Sequence, residues 1–259
     1  MAAEKGYWHS KTVLITGGSG GMGRAIAGRY ATEGASLYLC DINSRSLAEA
    51  ARGLGTAKVI EADVTKVADC ARAVATAADE SGRLDLLINA AGIWTEGPSE
   101  AAIEAEWDRV VDVNLKGTFF MCRHAIPHLE KTGGNIINIS SDAGVIGSKG
   151  AAIYCASKGG VNLLTKSLAR ELAARVIRVN AICPCDVDTP MIEYQATTFG
   201  GGDPAAYKRA LLAIYPQGAR ARFATPAEIA AFVYFVASPE AAPITGACLS
   251  IDFGTTAGL

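Results

Sequence analysis

Tyr154 stands four residues before Lys158 in the stretch AAIYCASKGG (151–160), with small side chains around both. On a helix, positions four apart share a face, so phenol and ammonium are neighbours. A free tyrosine has a pKa near ~10 and is no base at neutral pH. A lysine ammonium beside it favours the phenolate, and each unit of lowering corresponds to about 1.4 kcal/mol. The pair is a candidate acid–base couple poised nearer the working pH. Ala151, Ala152, Ala156, Gly159 and Gly160 leave room for reactants to come close. Any helix can carry such a pair by chance, so the rest of the chain must decide.

Two further features point the same way. Ser141 closes an apolar run 13 residues before Tyr154, where its hydroxyl can orient a substrate oxygen. Ser140, its rival, faces the other way by strand alternation. Near the start, KTVLIT (11–16) runs into GGSGGMGRAIAGRYATEG, with glycines at 17, 18, 20, 21 and 23. A strand, a glycine turn and a helix form a seat for a pyrophosphate, which the helix N-terminus attracts. Asp41 lies 20 residues after Gly21, at the end of the next apolar run. A carboxylate there holds the adenosine ribose hydroxyls and repels a 2′-phosphate. Gly18 and Ile42 occupy the places where a basic residue would welcome that phosphate, and Arg45 is expected to face water. The expected coenzyme is NAD.

The elements that must position these residues alternate. Apolar runs at 11–16, 35–40, 57–63, 84–90, 135–140, 176–182 and 247–252 read as fully buried strands. Helical stretches lie near 21–34, 43–53, 66–81, 100–131, 153–174 and 225–238. This alternation predicts an α/β fold: a doubly wound, seven-stranded parallel sheet with helices on both faces. No repeat or linker divides residues 1–259, so one domain is expected. The connection at about 186–224, with a helix near PAAYKRALLAIY, is placed to act as a substrate lid.

Composition narrows the classes. Half of the 259 residues are hydrophobic, 19% are charged and the net charge is −2, which leaves no basic footprint for nucleic acid. The seven cysteines form no spacing framework and read as reduced thiols of a cytoplasmic protein; Cys183 and Cys185 are too close along the chain to pair without strain. The opening stretch lacks an apolar signal core, and IAAFVYFVA (229–237) is too short to span a bilayer. His124 and His128 flank Pro127 without a third ligand, so no metal site is expected. Trp94 is expected at the rim of the site and Trp107 in packing.

The stretches TGGSGGMG (16–23), DV (63–64), NAAG (89–92), DVNLKG (112–117), ISS (139–141), YCASK (154–158) and CPCDVDT (183–189) occur in this order. Together they resemble the short-chain dehydrogenase/reductase family, in its single-domain branch, from about residue 9 to residue 254. The resemblance implies a catalytic tetrad of Asn114, Ser141, Tyr154 and Lys158, with Asn114 holding a water that relays protons from the lysine. It implies a pyrophosphate turn of Gly17, Ser19, Gly21, Met22 and Gly23, with Asp41 and Ile42 beside the ribose and Asp63 and Val64 at the adenine. Asn89, Ala90 and Gly92 would lie beside the cofactor, and Pro184, Val187 and Thr189 at the nicotinamide. Tyr154 and Lys158 would touch both cofactor and substrate. Four positions depart from the family's pattern: Ala90 replaces an asparagine, while Cys185, Val176 and Phe253 stand where glycine is common.

The implied reaction is hydride transfer between NAD and a secondary alcohol or ketone, such as a polyol, cyclic diol or hydroxy acid, with Tyr154 moving the proton. The alternatives are an NADP-dependent carbonyl or 3-oxoacyl reductase, and a non-catalytic nucleotide sensor or scaffold. In some relatives basic residues of the lid grip an anionic substrate; Lys208, Arg209, Arg220 and Arg222 are the candidates, against a solvated face and an ion pair at Arg222. Analogy implies a homotetramer, with a dimer second, and no nucleic-acid or membrane partner.

Overall fold

In a computed structural model, residues 6–55 and 57–258 are described. β1 (Thr12–Thr16) is buried at every position, as its unbroken TVLIT requires. It leads into α1 (Gly21–Thr32), which buries Ile26, Ala27 and Tyr30. β2 (Ser36–Asp41), α2 (Ser44–Ala51), β3 (Lys58–Glu61), α3 (Val67–Ser81) and β4 (Leu86–Asn89) follow. Then come α4 (Glu104–Val111), α5 (Thr118–Leu129), β5 (Asn135–Ile139), the 21-residue α6 (Ala152–Leu172) and β6 (Arg178–Pro184). α7 (Pro190–Phe199), α8 (Pro204–Ala213), α9 (Pro226–Ala237) and β7 (Cys248–Ile251) close the chain.

The sheet is parallel throughout, in the order β3-β2-β1-β4-β5-β6-β7. Strand alternation splits its side chains between two cores. Val13, Ile15, Leu37 and Ile137 pack under α1, α2 and α9. Leu14, Tyr38, Leu87 and Ile136 pack under α3, α5 and α6. Each fully buried leucine or isoleucine contributes roughly 1.5–3 kcal/mol of transfer free energy. The sheet therefore reads as the doubly wound fold, and its strand order reverses between β1 and β4. Ligands of such sheets bind in the crevice at the carboxyl ends of the strands beside that reversal.

Four parts of the chain differ from the sequence reading. β3 is an edge strand: only Ile60 of its four residues is buried, and Val59 is exposed. β7, the opposite edge, has no fully buried residue. Edge strands lack a neighbour on one side, so their apolar run does not imply burial on both faces. The stretch 100–131 is not one helix. It breaks into a 3₁₀ turn (Ser99–Ala101), α4, a π-helical turn (Asp112–Gly117) and α5. Finally, the lid region holds α7 as well as α8; Pro190 starts α7 at the position where a missing N–H is harmless.

Candidate active site

The glycine turn after β1 is shaped by what it touches. Gly17 has φ +65, and a Cβ there would lie 2.7 Å from the Ala90 carbonyl and the Ala91 nitrogen. On its other side, a Cβ on Gly21 would lie 2.7 Å from the Thr189 methyl. The Thr16 hydroxyl accepts from the Ala90 and Ala91 amides at 3.2 Å each, joining β1 to the segment after β4. Gly20 caps α1 without a side chain, and no acid occupies its first turn. The first-turn N–H groups thus remain free for an anion. At the end of β2, Asp41 accepts from the Ser19 amide (3.1 Å) and hydroxyl (2.7 Å) and from the Asn43 amide (3.2 Å). Ile42 beside it is 65% exposed, and Arg45 faces solvent on α2. A cradle too tight for side chains, a free helix N-terminus and a carboxylate on the next strand fit a nicotinamide dinucleotide.

Other expected contacts are placed around this cleft with different duties. Asp63 accepts from the Thr65 amide and hydroxyl at 3.0 and 2.7 Å, fixing the turn after β3. Val64 packs on the π-helical turn at Gly117, where a Cβ would come within 2.9 Å. Met22 packs against the core under α1. Pro184 ends β6, and the Val187 carbonyl accepts from the Thr189 hydroxyl at 3.0 Å. The Asn89 side chain turns into the core, donating to Asn138 at 2.9 Å, which in turn donates to Thr165 at 2.9 Å. Asn89 thus fastens β4 to β5 beneath the segment that ends at Gly92.

The chemistry-bearing groups meet at the carboxyl end of β5. Ser140 donates to the Lys158 carbonyl at 3.1 Å, so it points into α6. Ser141, turned the other way, donates to Asp142 Oδ1 at 2.8 Å and accepts from the Ala143 amide at 3.1 Å. Tyr154 is 7% exposed; burial pushes its hydroxyl above the ordinary tyrosine value, and a hydrogen bond with Ser141 pulls the other way. Lys158, 4% exposed, donates to the Ile139 carbonyl at 2.8 Å and sits 5.7 Å from the centre of the Tyr154 ring. Burial lowers its ammonium to about 8. Helical spacing does bring the two side chains to one face, but the expected lowering of the phenol by Lys158 is overridden by burial of both groups.

Asn114 sits in the π-helical turn, 1% exposed. Its carbonyl oxygen accepts from the Ile93 amide at 2.9 Å; its amide donates to the Ile93 carbonyl at 3.0 Å and to Ser157 at 3.1 Å. Both amide protons are engaged within the fold. The side chain thereby ties the segment after β4 to α6, beside Gly92 and Lys158.

This arrangement can bind a dinucleotide and exchange a proton with a substrate oxygen beside Tyr154. The family profile described as short chain dehydrogenase matches residues 11–198. The chain belongs to the short-chain dehydrogenase/reductase family. This short-chain dehydrogenase is 39% identical over 253 residues to 2-(S)-hydroxypropyl-CoM dehydrogenase 3 of Xanthobacter autotrophicus, covering 96% of this chain and 97% of that one. It is 39% identical over 257 residues to the cyclopentanol dehydrogenase of Comamonas testosteroni, covering 97% and 99%. The crystal structure of levodione reductase superposes with a TM-score of 0.91 at 33% identity, covering 97% of this chain and 100% of that one. The 3-ketoacyl-(acyl-carrier-protein) reductase from Brucella melitensis, complexed with NADH, superposes at 0.85 with 32% identity, covering 96% and 99%.

Trp94, expected at the rim of the site, lies 4.4 Å from the Tyr154 ring, centre to centre, tilted at 54°. Glu96, Tyr207, Asp186 and Tyr215 were not singled out by the sequence reading. The Trp94 indole N–H donates to Glu96 Oε2 at 2.8 Å, and the Tyr207 hydroxyl of α8 donates to the same oxygen at 2.6 Å. Asp186 accepts from the Tyr215 hydroxyl at 3.1 Å. Burial and then the charge of Asp142 raise Asp186 to about 6, and burial raises Asp142 as well. The signal was present for Asp142, which adjoins Ser141; Asp186 reaches it only through the fold.

The remaining candidates take other places. Lys208 pairs with Glu193, and Arg222 pairs with Glu228 at 2.6 Å. Arg209, 71% exposed, stands 4.0 Å from Asp203, and Arg220 is exposed. Trp107 is 48% exposed rather than packed, and it lines a cavity of about 510 Å³ with Glu96, Ile103 and Ile153. Cys185 has no positive φ and is buried, so the chain after β6 does not require glycine there. Val176 and Phe253, by contrast, both adopt positive φ, at 58 and 54. Among the described residues no helix is long and apolar enough to cross a membrane, and no group of three potential ligands is placed to hold a metal.

Proposed function

We propose that this short-chain dehydrogenase oxidises a secondary alcohol, or reduces the matching ketone, with NAD. The observation that carries the reading is the convergence of Ser141, Tyr154 and Lys158 at the end of β5, beside the glycine turn. A bound nicotinamide nucleotide supplies the hydride acceptor. Ser141 orients the substrate oxygen. Tyr154 takes the hydroxyl proton as the alcohol becomes a ketone and returns it in the reverse direction. Lys158 offsets the phenolate charge and is in turn held by Ile139. Asn114 is a positioning residue that holds the segment after β4 against α6. Asp41, tied to Ser19, favours NAD, because its charge repels a 2′-phosphate.

α7 and α8 act as the substrate lid, with Tyr207 on Glu96 as its latch. Phe119 on α5 and Leu163 on α6 are exposed apolar side chains, which supports assembly through these helices into a homotetramer. The seven free cysteines are consistent with a cytoplasmic protein.

The test is reduction of NAD and of NADP by the purified protein with secondary alcohols, sugars, cyclic diols and hydroxy acids, with Tyr154→Phe as control. NADH formation that Tyr154→Phe loses by about 10²-fold or more supports the reading. Near-normal turnover by Tyr154→Phe, or activity with NADP alone, would overturn it.

A further inference from the structure

One carboxylate ties the lid to the wall of the reaction site. Trp94 and Glu96, two positions apart after β4, turn to the same side, and the Trp94 indole N–H donates to Glu96 Oε2 at 2.8 Å. The Tyr207 hydroxyl of α8 donates to that same oxygen at 2.6 Å, the length of a charge-assisted bond. Trp94 in turn lies 4.4 Å from the Tyr154 ring and packs on the small cluster of Ala143, Ala151 and Tyr154. Tyr207, Glu96, Trp94 and Tyr154 thus form an unbroken line from the lid to the phenol. Little else holds the lid helices. α8 has no buried residue. Among the described residues, no other hydrogen bond from α7 or α8 leaves the stretch 186–224: Lys208 pairs with Glu193, Gln195 Oε1 stands 3.5 Å from the Tyr207 hydroxyl, and Asp203 caps α8. A segment with few buried groups and one anchoring bond opens at low free-energy cost. Burial, then the Glu96 carboxylate, raise the Tyr207 hydroxyl well above the ordinary tyrosine value, so it stays the donor.

We propose that Glu96 is a positioning residue that couples closure of the lid to Tyr154: with Tyr207 docked, Glu96 holds Trp94 against the phenol ring, and with Tyr207 away it lets Trp94 go. The inference rests on the alcohol dehydrogenase reading and deepens it. Glu96 takes no part in hydride or proton transfer. Once Tyr207 leaves, the partly buried carboxylate keeps a single donor and is better solvated by turning outward. Trp94 then loses its acceptor, and the indole no longer has a bond that fixes its tilt on Tyr154. Tyr154 is 7% exposed with that wall in place. Proton transfer to a phenol shielded from water is thereby reserved for the state in which the substrate is enclosed.

The test is a double-mutant cycle with the secondary alcohol that the wild-type chain oxidises fastest with NAD. Tyr207→Phe and Trp94→Phe each delete one donor to Glu96, and each should lower kcat about tenfold while KM changes by less than about twofold. The combined variant should also lose only about tenfold, since both substitutions act through one carboxylate. Glu96→Ala should match them, and Glu96→Gln, whose side-chain carbonyl accepts both bonds, should recover most of the loss. In the cofactor-free chain, Tyr207→Phe should raise amide hydrogen exchange at residues 93–97, and Trp94→Phe should raise it in α8, because coupling between two sites is reciprocal. Losses that multiply to about 100-fold, a change in KM alone, or a wild-type kcat for Glu96→Ala would overturn the inference and leave the dehydrogenase reading standing. Exchange that changes only beside the substituted residue does the same. Failure of the wild-type chain with every alcohol overturns that reading and the inference together. Where Glu96→Ala does not fold, the cycle of the two phenylalanine variants decides.

Discussion

The Lys158 ammonium donates to the carbonyl of Ile139 at 2.8 Å, so the last residue of β5 fastens the lysine that faces Tyr154. This buried charge has a cost. Burial lowers Lys158 to about 8, below its unfolded value, so the unfolded chain binds more protons between about pH 8 and 10. Stability from this group rises with pH across that window, and the full penalty is present below it. Lys158→Met should therefore gain up to about 3 kcal/mol at pH 7 and lose that advantage near pH 10, while turnover falls by about 10²-fold or more. Thermal melts at the two pH values, with a parallel activity assay, check both halves.

Asp41 grips Ser19 through both its amide and its hydroxyl. Asp41→Ala removes the charge that repels a 2′-phosphate and also loosens the glycine turn. The ratio of kcat/KM for NAD over NADP should drop by about tenfold or more, with NAD affinity itself reduced. Steady-state kinetics with both coenzymes measures this directly.

Asp186 moves the opposite way from Lys158. Burial, then Asp142, raises it to about 6 against an ordinary 3.8, so between those values the folded chain binds more protons than the unfolded one. Stability falls as pH rises through that window. Asp186→Asn, which can still accept from Tyr215, should be more stable than wild type by about 2–3 kcal/mol at pH 7. The gap should close below about pH 4. Denaturant titrations at pH 4 and 7 give the comparison.

Val176 is a β-branched residue at φ 58, 71% exposed, where the chain turns from α6 toward β6. The left-handed conformation costs a non-glycine residue roughly 1–2 kcal/mol, and exposure means little packing is lost on truncation. Val176→Gly should raise Tm by about 2–4 °C without altering kinetics. A lowered Tm would count against the strain argument.

Much of this was legible in the residues. The alternation of apolar runs and amphipathic stretches was enough for the doubly wound sheet, and the spacing of Tyr154 and Lys158 for their shared face. What escaped was set by neighbours far off in sequence. AKVIEAD resembles a buried strand, but only the sheet order makes β3 an edge. Spacing does not say where a long side chain ends, so the Ile139 carbonyl was invisible as the partner of Lys158. The bonds that Asn89 makes to Asn138, and Asn114 to Ile93 and Ser157, join residues 21 to 49 positions apart and were equally invisible. The pairing of Asp142 with Asp186 needs β5 and β6 side by side.

The π-helical turn at Asp112–Gly117 carries one residue more than a regular helix would use. Deleting a single residue there would let the helix run on regularly while α4 and α5 kept nearly their present facing, because the wider turn spends six residues on a rotation that about five α-helical residues cover. Met121, Cys122 and Ala125 would stay in their core. Asn114 would lose the bulge that presents it to Ile93 and Ser157. The extra residue therefore serves the site rather than the fold: its removal should spare folding and cut the tie between the segment after β4 and α6.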